Sequence, residues 1–302
     1  MAGSGSRRLA WGAVVAVFLL MTLGNVVSAT GSGLACPDWP LCHGSLVPQL
    51  RPDVLVEYSH RLAALVASVL IVATIVATLR GQAAPGARRV GMGLLVLLGV
   101  QIALGGITVL LRLPHLVSTT HLVNALLILG GLLTLAAGPG PPGMLGREGS
   151  VARLSRAGLA VLLLQMAVGG YVRHTGAGLA CPDFPLCSGD LLPGHWLAGV
   201  HWVHRWLGVI LIGLFLHLAV AARRTALAPA ARLACLLAVV QVVLGVAAVL
   251  LRLTPESRAT HAAVGYALWG TLVWLSVRSG LWTGVLRASS KAAVREGAVS
   301  AA

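Results

Sequence analysis

The chain has 302 residues, 57% of them hydrophobic and only 10% charged, with a mean hydropathy of +0.89. That composition excludes an ordinary soluble domain and places the chain in a lipid bilayer. A formal net charge of +14 would suit nucleic acid, but the arginines are scattered over short loops without a basic stripe or interleaved aromatics, so a nucleic-acid partner is excluded.

Crossing the hydrocarbon core takes roughly 17 to 25 apolar residues as helix. Eight stretches meet that length: Leu9 to Val27, Ser59 to Leu79, Val90 to Leu111, Leu116 to Ala137, Leu154 to Val172, Leu197 to Ala222, Leu233 to Leu251 and Thr260 to Val277. The first follows Arg7-Arg8 and ends near small residues at Ser28-Ala29, so a cleaved signal peptide is the alternative reading of it. Against that reading, the string that follows it, Gly33 to Cys42 (GLACPDWPLC), recurs as Gly178 to Cys187 (GLACPDFPLC) behind an internal span. The first span is therefore expected to be retained as the counterpart of the fifth.

Further landmarks repeat in the same order. His60-Arg61 returns as His204-Arg205, Leu110 to Leu113 as Leu250 to Leu253, and Thr120-His121 as Thr260-His261. The chain reads as one unit built twice: residues 1–138 and 153–280, a Gly/Pro-rich linker at 139–152 and a tail at 281–302. Four spans per unit is an even number, so both copies point the same way. The expected fold is an all-α integral membrane protein of eight transmembrane helices, two parallel four-helix-bundle repeats related by a pseudo-two-fold axis along the membrane normal. Most of the 22 Lys and Arg, among them Arg80, Arg88, Arg89, Arg153, Arg223 and Arg224, fall on the side of the amino terminus. Both termini are thereby predicted to be cytoplasmic and the cysteine loops extracytoplasmic, in a cell membrane.

On that outer side, Cys36 with Cys42 and Cys181 with Cys187 suit one disulfide per loop, where disulfides persist. Zinc is the rival, although each loop offers only half a site and His43 has no second-copy partner. A disulfide here is either a structural staple or, in the first loop particularly, a redox pair. Cys235 inside the seventh span reads as a small buried hydrophobe.

Four histidines are repeat-matched: His60, His121, His204 and His261, all in the outer parts of even-numbered spans. Ionisable groups within a span are costly and face the bundle interior, paired or functional. One such histidine is commonly a hydrogen-bonded core residue. Two per repeat at one depth point to imidazole ligation of haem iron between facing helices. Glu57 precedes His60 by three residues and shares its helix face, while the matched position before His204 is His201. A carboxylate there is a candidate general base; alternatively it pairs with Arg61 or favours the helix amino end. Arg61, Arg205, Arg112 and Arg252 are candidate contacts for haem propionates or else snorkel to headgroups. His43, His115, His174, His195 and His217 lack repeat partners, and Gln101 and Gln241 read as interhelical hydrogen bonders.

Taken together, TGSGLACPDWPLC at Thr30 to Cys42, TGAGLACPDFPLC at Thr175 to Cys187, EYSHR at Glu57 to Arg61 and the four placed histidines resemble the haem A synthase family over nearly the whole chain. The resemblance implies an enzyme, an oxidoreductase converting haem O to haem A by oxidising a porphyrin-edge methyl to formyl through a hydroxymethyl stage, for use in terminal oxidases. It implies His204 and His261 as axial ligands of a resident haem b, His60 and His121 flanking the substrate haem O, Glu57 as catalytic carboxylate, and disulfides Cys181–Cys187 and Cys36–Cys42. One departure is that Arg173, in Gly170-Tyr171-Val172-Arg173, aligns with Ser28. A haem O synthase is an expected partner for handing over the substrate, and the chemistry requires an electron acceptor that no motif identifies; oligomeric state is likewise unmarked. The competing readings are a dihaem b-type electron-transfer protein, against which the Glu57/His201 difference argues, and a transporter, against which the scarcity of midplane polar residues argues.

Overall fold

The computed structural model describes residues 4–81, 83–138 and 148–280. Eight α-helices run through them: α1 Ser4–Ala29, α2 Pro52–Arg80, α3 Pro85–Leu110, α4 His115–Ala137, α5 Glu148–His174, α6 Trp196–Ala222, α7 Ala228–Leu250 and α8 Pro255–Arg278. A short 3-10 turn covers Ala177–Leu179. Helices α2, α3 and α8 begin at a proline, whose missing N–H is one of the groups a first turn leaves unpaired. These starts lie several residues ahead of the apolar runs, so α2 carries Glu57 in its second turn. Helix α5 likewise begins at Glu148, which moves residues 148–152 from the expected linker into the helix. The remainder of that linker, residues 139–147, and the tail 281–302 lie outside the described residues.

Among the described residues, seven helices, α1 to α7, are long and apolar enough to cross a membrane. The eighth, expected as a span, is a helix of 24 residues that falls short of that hydropathy. Its sequence explains the difference: Ser257, Arg258, Thr260 and His261 stand near its start, and its inner half buries Gly265, Tyr266, Trp269 and Ser276 beside Leu268, Leu272 and Leu275. A helix surrounded by protein need not be uniformly apolar, since its polar groups find partners in the bundle.

Packing places α1 against α2 and α4, α2 on α3, and α3 on α4; in parallel, α5 meets α6 and α8, α6 meets α7, and α7 meets α8. Contacts joining the first four helices to the last four run α4 to α8, α1 to α8 and α4 to α5. Leu126, Leu129, Leu132, Leu268, Leu272 and Leu275 are fully buried in that shared core, and Trp269 donates its indole N–H to the Leu126 carbonyl at 2.9 Å. The turn after α3 sets Arg112 and Leu113 at φ 57° and 63°, and the turn after α7 repeats this with Arg252 and Leu253 at 55° and 59°. Both turns close by amides returning to the preceding helix, Leu113 to Thr108 and Leu253 to Ala248, each at 2.8 Å. Each turn thereby sends a leucine against a loop glycine, Leu113 towards Gly33 and Leu253 towards Gly178.

Candidate functional site

Each cysteine loop is a closed knot seated on the helix that follows it. Disulfides join Cys36 to Cys42 and Cys181 to Cys187, with Cα atoms 4.7 and 4.5 Å apart, and paired backbone hydrogen bonds link Cys42 to Ser45 and Cys187 to Asp190. Zinc is thereby set aside, since both thiols of each loop are consumed in a disulfide. The motif aspartates are turn-makers. Asp38 accepts the amides of His43 and Gly44 at 2.6 and 2.7 Å, and Asp183 those of Ser188 and Gly189 at 2.6 and 2.8 Å. These amides, Gly44 foremost for Asp38 and Gly189 for Asp183, hold both carboxyls below the usual carboxylate range.

Arginine ties each loop down. Arg61 donates to the carbonyls of Asp38 at 2.7 Å, Leu41 at 2.5 Å and Cys36 at 2.8 Å. Arg205 does the same to Asp183 at 2.7 Å, Leu186 at 3.0 Å and Cys181. Most donors of Arg61 and Arg205, expected as propionate contacts, are thus committed to loop carbonyls. Arg112 and Arg252, the other two candidates, are exposed on the left-handed turns, and Arg252 does not line the cavity described below.

Glu57 is buried and uses both oxygens: Oε1 meets the Arg61 guanidinium at 2.6 Å and Oε2 accepts the Cys36 amide at 2.8 Å. The pairing anticipated as the alternative to a catalytic role is therefore present in the structure. In the second half His201 replaces it and accepts from Arg205 Nε at 3.2 Å. The difference between halves is a buried carboxyl group in one loop seat and an imidazole in the other.

The four matched histidines each rest against a glycine of a neighbouring helix. A Cβ at Gly24 would stand 2.8 Å from His60 Cε1, at Gly169 2.6 Å from His204, at Gly245 3.2 Å from His261 and at Gly105 3.4 Å from His121. In all four rings Nδ1 is buried without a hydrogen-bond partner, an unusual expense for interior polar atoms. His204 and His261 come together, with ring centres 6.4 Å apart. With metal–imidazole bonds of about 2 Å, two rings at this separation could hold one metal ion between them, so the pair could serve a haem iron.

Around that pair lies a cavity of about 340 Å³, lined by His201, His204, His261, Gln165, Gln241 and apolar residues such as Val246 and Leu268. Arg173 and Arg258 line it too. Among the described residues neither forms an ion pair; Arg173 donates to Ser28 Oγ at 3.0 Å and Arg258 to the Ala29 carbonyl at 3.3 Å. Partly buried cations without counter-ions suit the two carboxylates of a haem. At Ser28, the position of the departure, Arg173 thus meets its own repeat equivalent.

In the first half, His121 Nε2 lies 3.2 Å from the Gln101 amide nitrogen, and the Trp39 indole covers Gly106, 3.1 Å from a Cβ built there. Sequence reasoning overlooked the glycine seats, although Gly105/Gly245 repeat at the offset of His121/His261 and Gly24/Gly169 at that of the cysteine strings. It also missed Arg258 and Asn124, which have no equivalent of like chemistry in the other half.

An α-helical multi-pass membrane protein, with paired interior histidines under two disulfide-closed loops, is the class these features define. The chain belongs to the family of cytochrome oxidase assembly proteins (COX15-CtaA), whose pattern matches residues 7–273. Similar proteins include the haem A synthase of Symbiobacterium thermophilum, 32% identical over 278 residues covering 86% of this chain and 91% of that one. The haem A synthase of Shouchella clausii is 30% identical over 262 residues, 82% of this chain and 87% of its own length. That of Alkalihalophilus pseudofirmus is 32% identical over 216 residues, 67% and 71% respectively. The dihaem electron-carrier reading finds no support among these relatives.

Proposed function

We propose that this protein is a haem A synthase, oxidising a porphyrin-edge methyl of haem O to formyl through a hydroxymethyl stage. The observation that carries the reading is the four glycine-seated histidines, two per half, in a chain whose relatives are haem A synthases. The assignment divides labour between the halves. His204 and His261 would hold a resident haem b, with Arg173 and Arg258 as cations for its carboxylates, and His60 and His121 would flank the substrate haem O. The contact pattern, in which α1 meets α8 as α5 meets α4, supports two parallel four-helix repeats about a pseudo-two-fold axis, α8 being the eighth span. Loop arginine counts support cytoplasmic termini and outer cysteine loops.

Replacing a C–H of the methyl by C–OH takes one water and releases two electrons and two protons; the alcohol then releases two more of each to give the aldehyde, and an external electron acceptor takes all four electrons. A bound b-type haem supplies a one-electron carrier within the same molecule. The chain's own residues hold and orient. Arg61 and the Cys36–Cys42 loop cap the first half, Trp39 against Gly106 narrows it, and the seats at Gly24 and Gly105 fix the ring planes of His60 and His121. Glu57 is the carboxylate assigned to take a proton from the attacking water, and to do so one of its two bonds must exchange for water.

The test separates the halves. His60→Ala or His121→Ala should abolish haem O conversion while leaving the low-spin spectrum of a bis-imidazole haem, whereas His204→Ala or His261→Ala should remove that spectrum. Equal loss of the spectrum in all four would contradict the division.

A further inference from the structure

The histidine on the fourth helix of each half is approached by a repeat-matched glutamine, but the two glutamines are held differently. In the first half Asn124 Nδ2 donates to the Leu97 carbonyl at 2.9 Å and to Gln101 Oε1 at 2.7 Å. The carbonyl fixes the orientation of Asn124, and Asn124 fixes that of Gln101, so the Gln101 amide must turn its N–H to His121 Nε2 at 3.2 Å. In the second half Gln241 Nε2 donates to the His261 backbone carbonyl at 2.7 Å and stands 3.4 Å from His261 Nε2. Its Oε1 has no partner, because Val264 occupies the position matching Asn124.

We infer that Gln101, locked by Asn124, is a built-in competitor for the iron-binding nitrogen of His121, making the first-half haem site exchangeable while the second-half site retains its haem. The inference rests on the proposed assignment of His60 and His121 to the substrate haem. An imidazole nitrogen has one lone pair in the ring plane, so a donated N–H and an iron cannot share it. When iron leaves His121, the Gln101 N–H satisfies a nitrogen that would otherwise be buried and bare; when iron binds, that hydrogen bond must first be broken. His261 faces a weaker competitor, since Gln241 Nε2 stands farther off, at 3.4 Å, gives its shorter bond to a backbone carbonyl, and has no residue holding its oxygen. A site that must release product each turnover gains from this, as product release commonly limits turnover.

Haem exchange reads this without any assay of activity. The full-length protein, loaded with ferric haem b, would be mixed with excess apomyoglobin and the Soret band followed. Wild type is expected to lose haem in two phases, the fast one absent from His121→Ala and the slow one from His204→Ala. Asn124→Val and Gln101→Leu should each slow the fast phase about five- to tenfold, the worth of one competing hydrogen bond. The slow phase of the same molecules reports that they are folded. Val264→Asn should hasten the slow phase. A fast phase unchanged or quickened in both Asn124→Val and Gln101→Leu would overturn the inference while leaving the division of halves intact. A wild type with no phase dependent on His121 would remove the first-half site itself, and the inference with it.

Discussion

At Gly169 a hydrogen atom is all that fits, because a methyl group there would stand 2.6 Å from His204 Cε1. Alanine scanning of the four seats should therefore give a graded result. Gly169→Ala and Gly24→Ala force His204 and His60 to move, Gly245→Ala, at 3.2 Å, strains His261, and Gly105→Ala, at 3.4 Å, is nearly accommodated. Haem content per protein should fall most for Gly169→Ala and least for Gly105→Ala; equal content in all four would show that the seats do not set the rings. Glu57 supplies the second residue-scale prediction. Glu57→Gln keeps an oxygen for the Cys36 amide but loses the charge facing Arg61, so haem content should survive while haem O conversion falls by about 10²-fold or more, as for loss of a general base. Unchanged turnover with haem intact would reduce Glu57 to a loop anchor. At this scale the histidines, the cysteines and Glu57 were legible because ionisable or sulfur-bearing residues stand out in an apolar chain. The glycine seats were not, since 37 glycines give no sign of which one faces a ring.

The cysteine loops act as elements, each a small knot held by one aspartate and one arginine. Asp38 and Asp183 have folded-state pKa values below the ordinary carboxylate value of about 3.9. Their contribution is thus complete above that value and disappears as pH falls through the depressed folded pKa. Reduction of the two disulfides by a phosphine should proceed at a steady rate from neutral pH down to about 4 and quicken only below it. Asp38→Ala together with Asp183→Ala should bring that quickening to neutral pH; a wild-type rate rising already between pH 7 and 5 would point to another group. Among the helices, apolar length predicted eight spans and located all eight helices, of which seven are apolar enough to cross a membrane. The exact starts were missed because Pro52, Pro85 and Pro255 begin helices in polar sequence ahead of the apolar runs. Helix α8 was credited with more apolar character than it has, since its partners are other helices.

At the scale of the whole molecule, the core shared by α1, α4, α5 and α8 joins the halves, among the described residues, through polar contacts that include Trp269 to Leu126, Arg173 to Ser28 and Arg258 to Ala29. Trp269→Phe removes one buried hydrogen bond of about 1 kcal/mol and should lower the melting temperature in detergent without changing haem content, whereas loss of haem would tie this contact to the cavity. Duplication was plain in the sequence, but how the copies differ was legible only in part. Glu57 against His201 could be seen by alignment; Asn124 against Val264 and Arg258 against Ser118 gained meaning only once packing set them beside a histidine or a cavity. The central claim is most directly tested by purifying the protein from a host that makes haem O and identifying the extracted porphyrins by mass. Haem A or its hydroxymethyl precursor is expected beside haem b. Haem b alone, with haem O available in the same membranes, would contradict it.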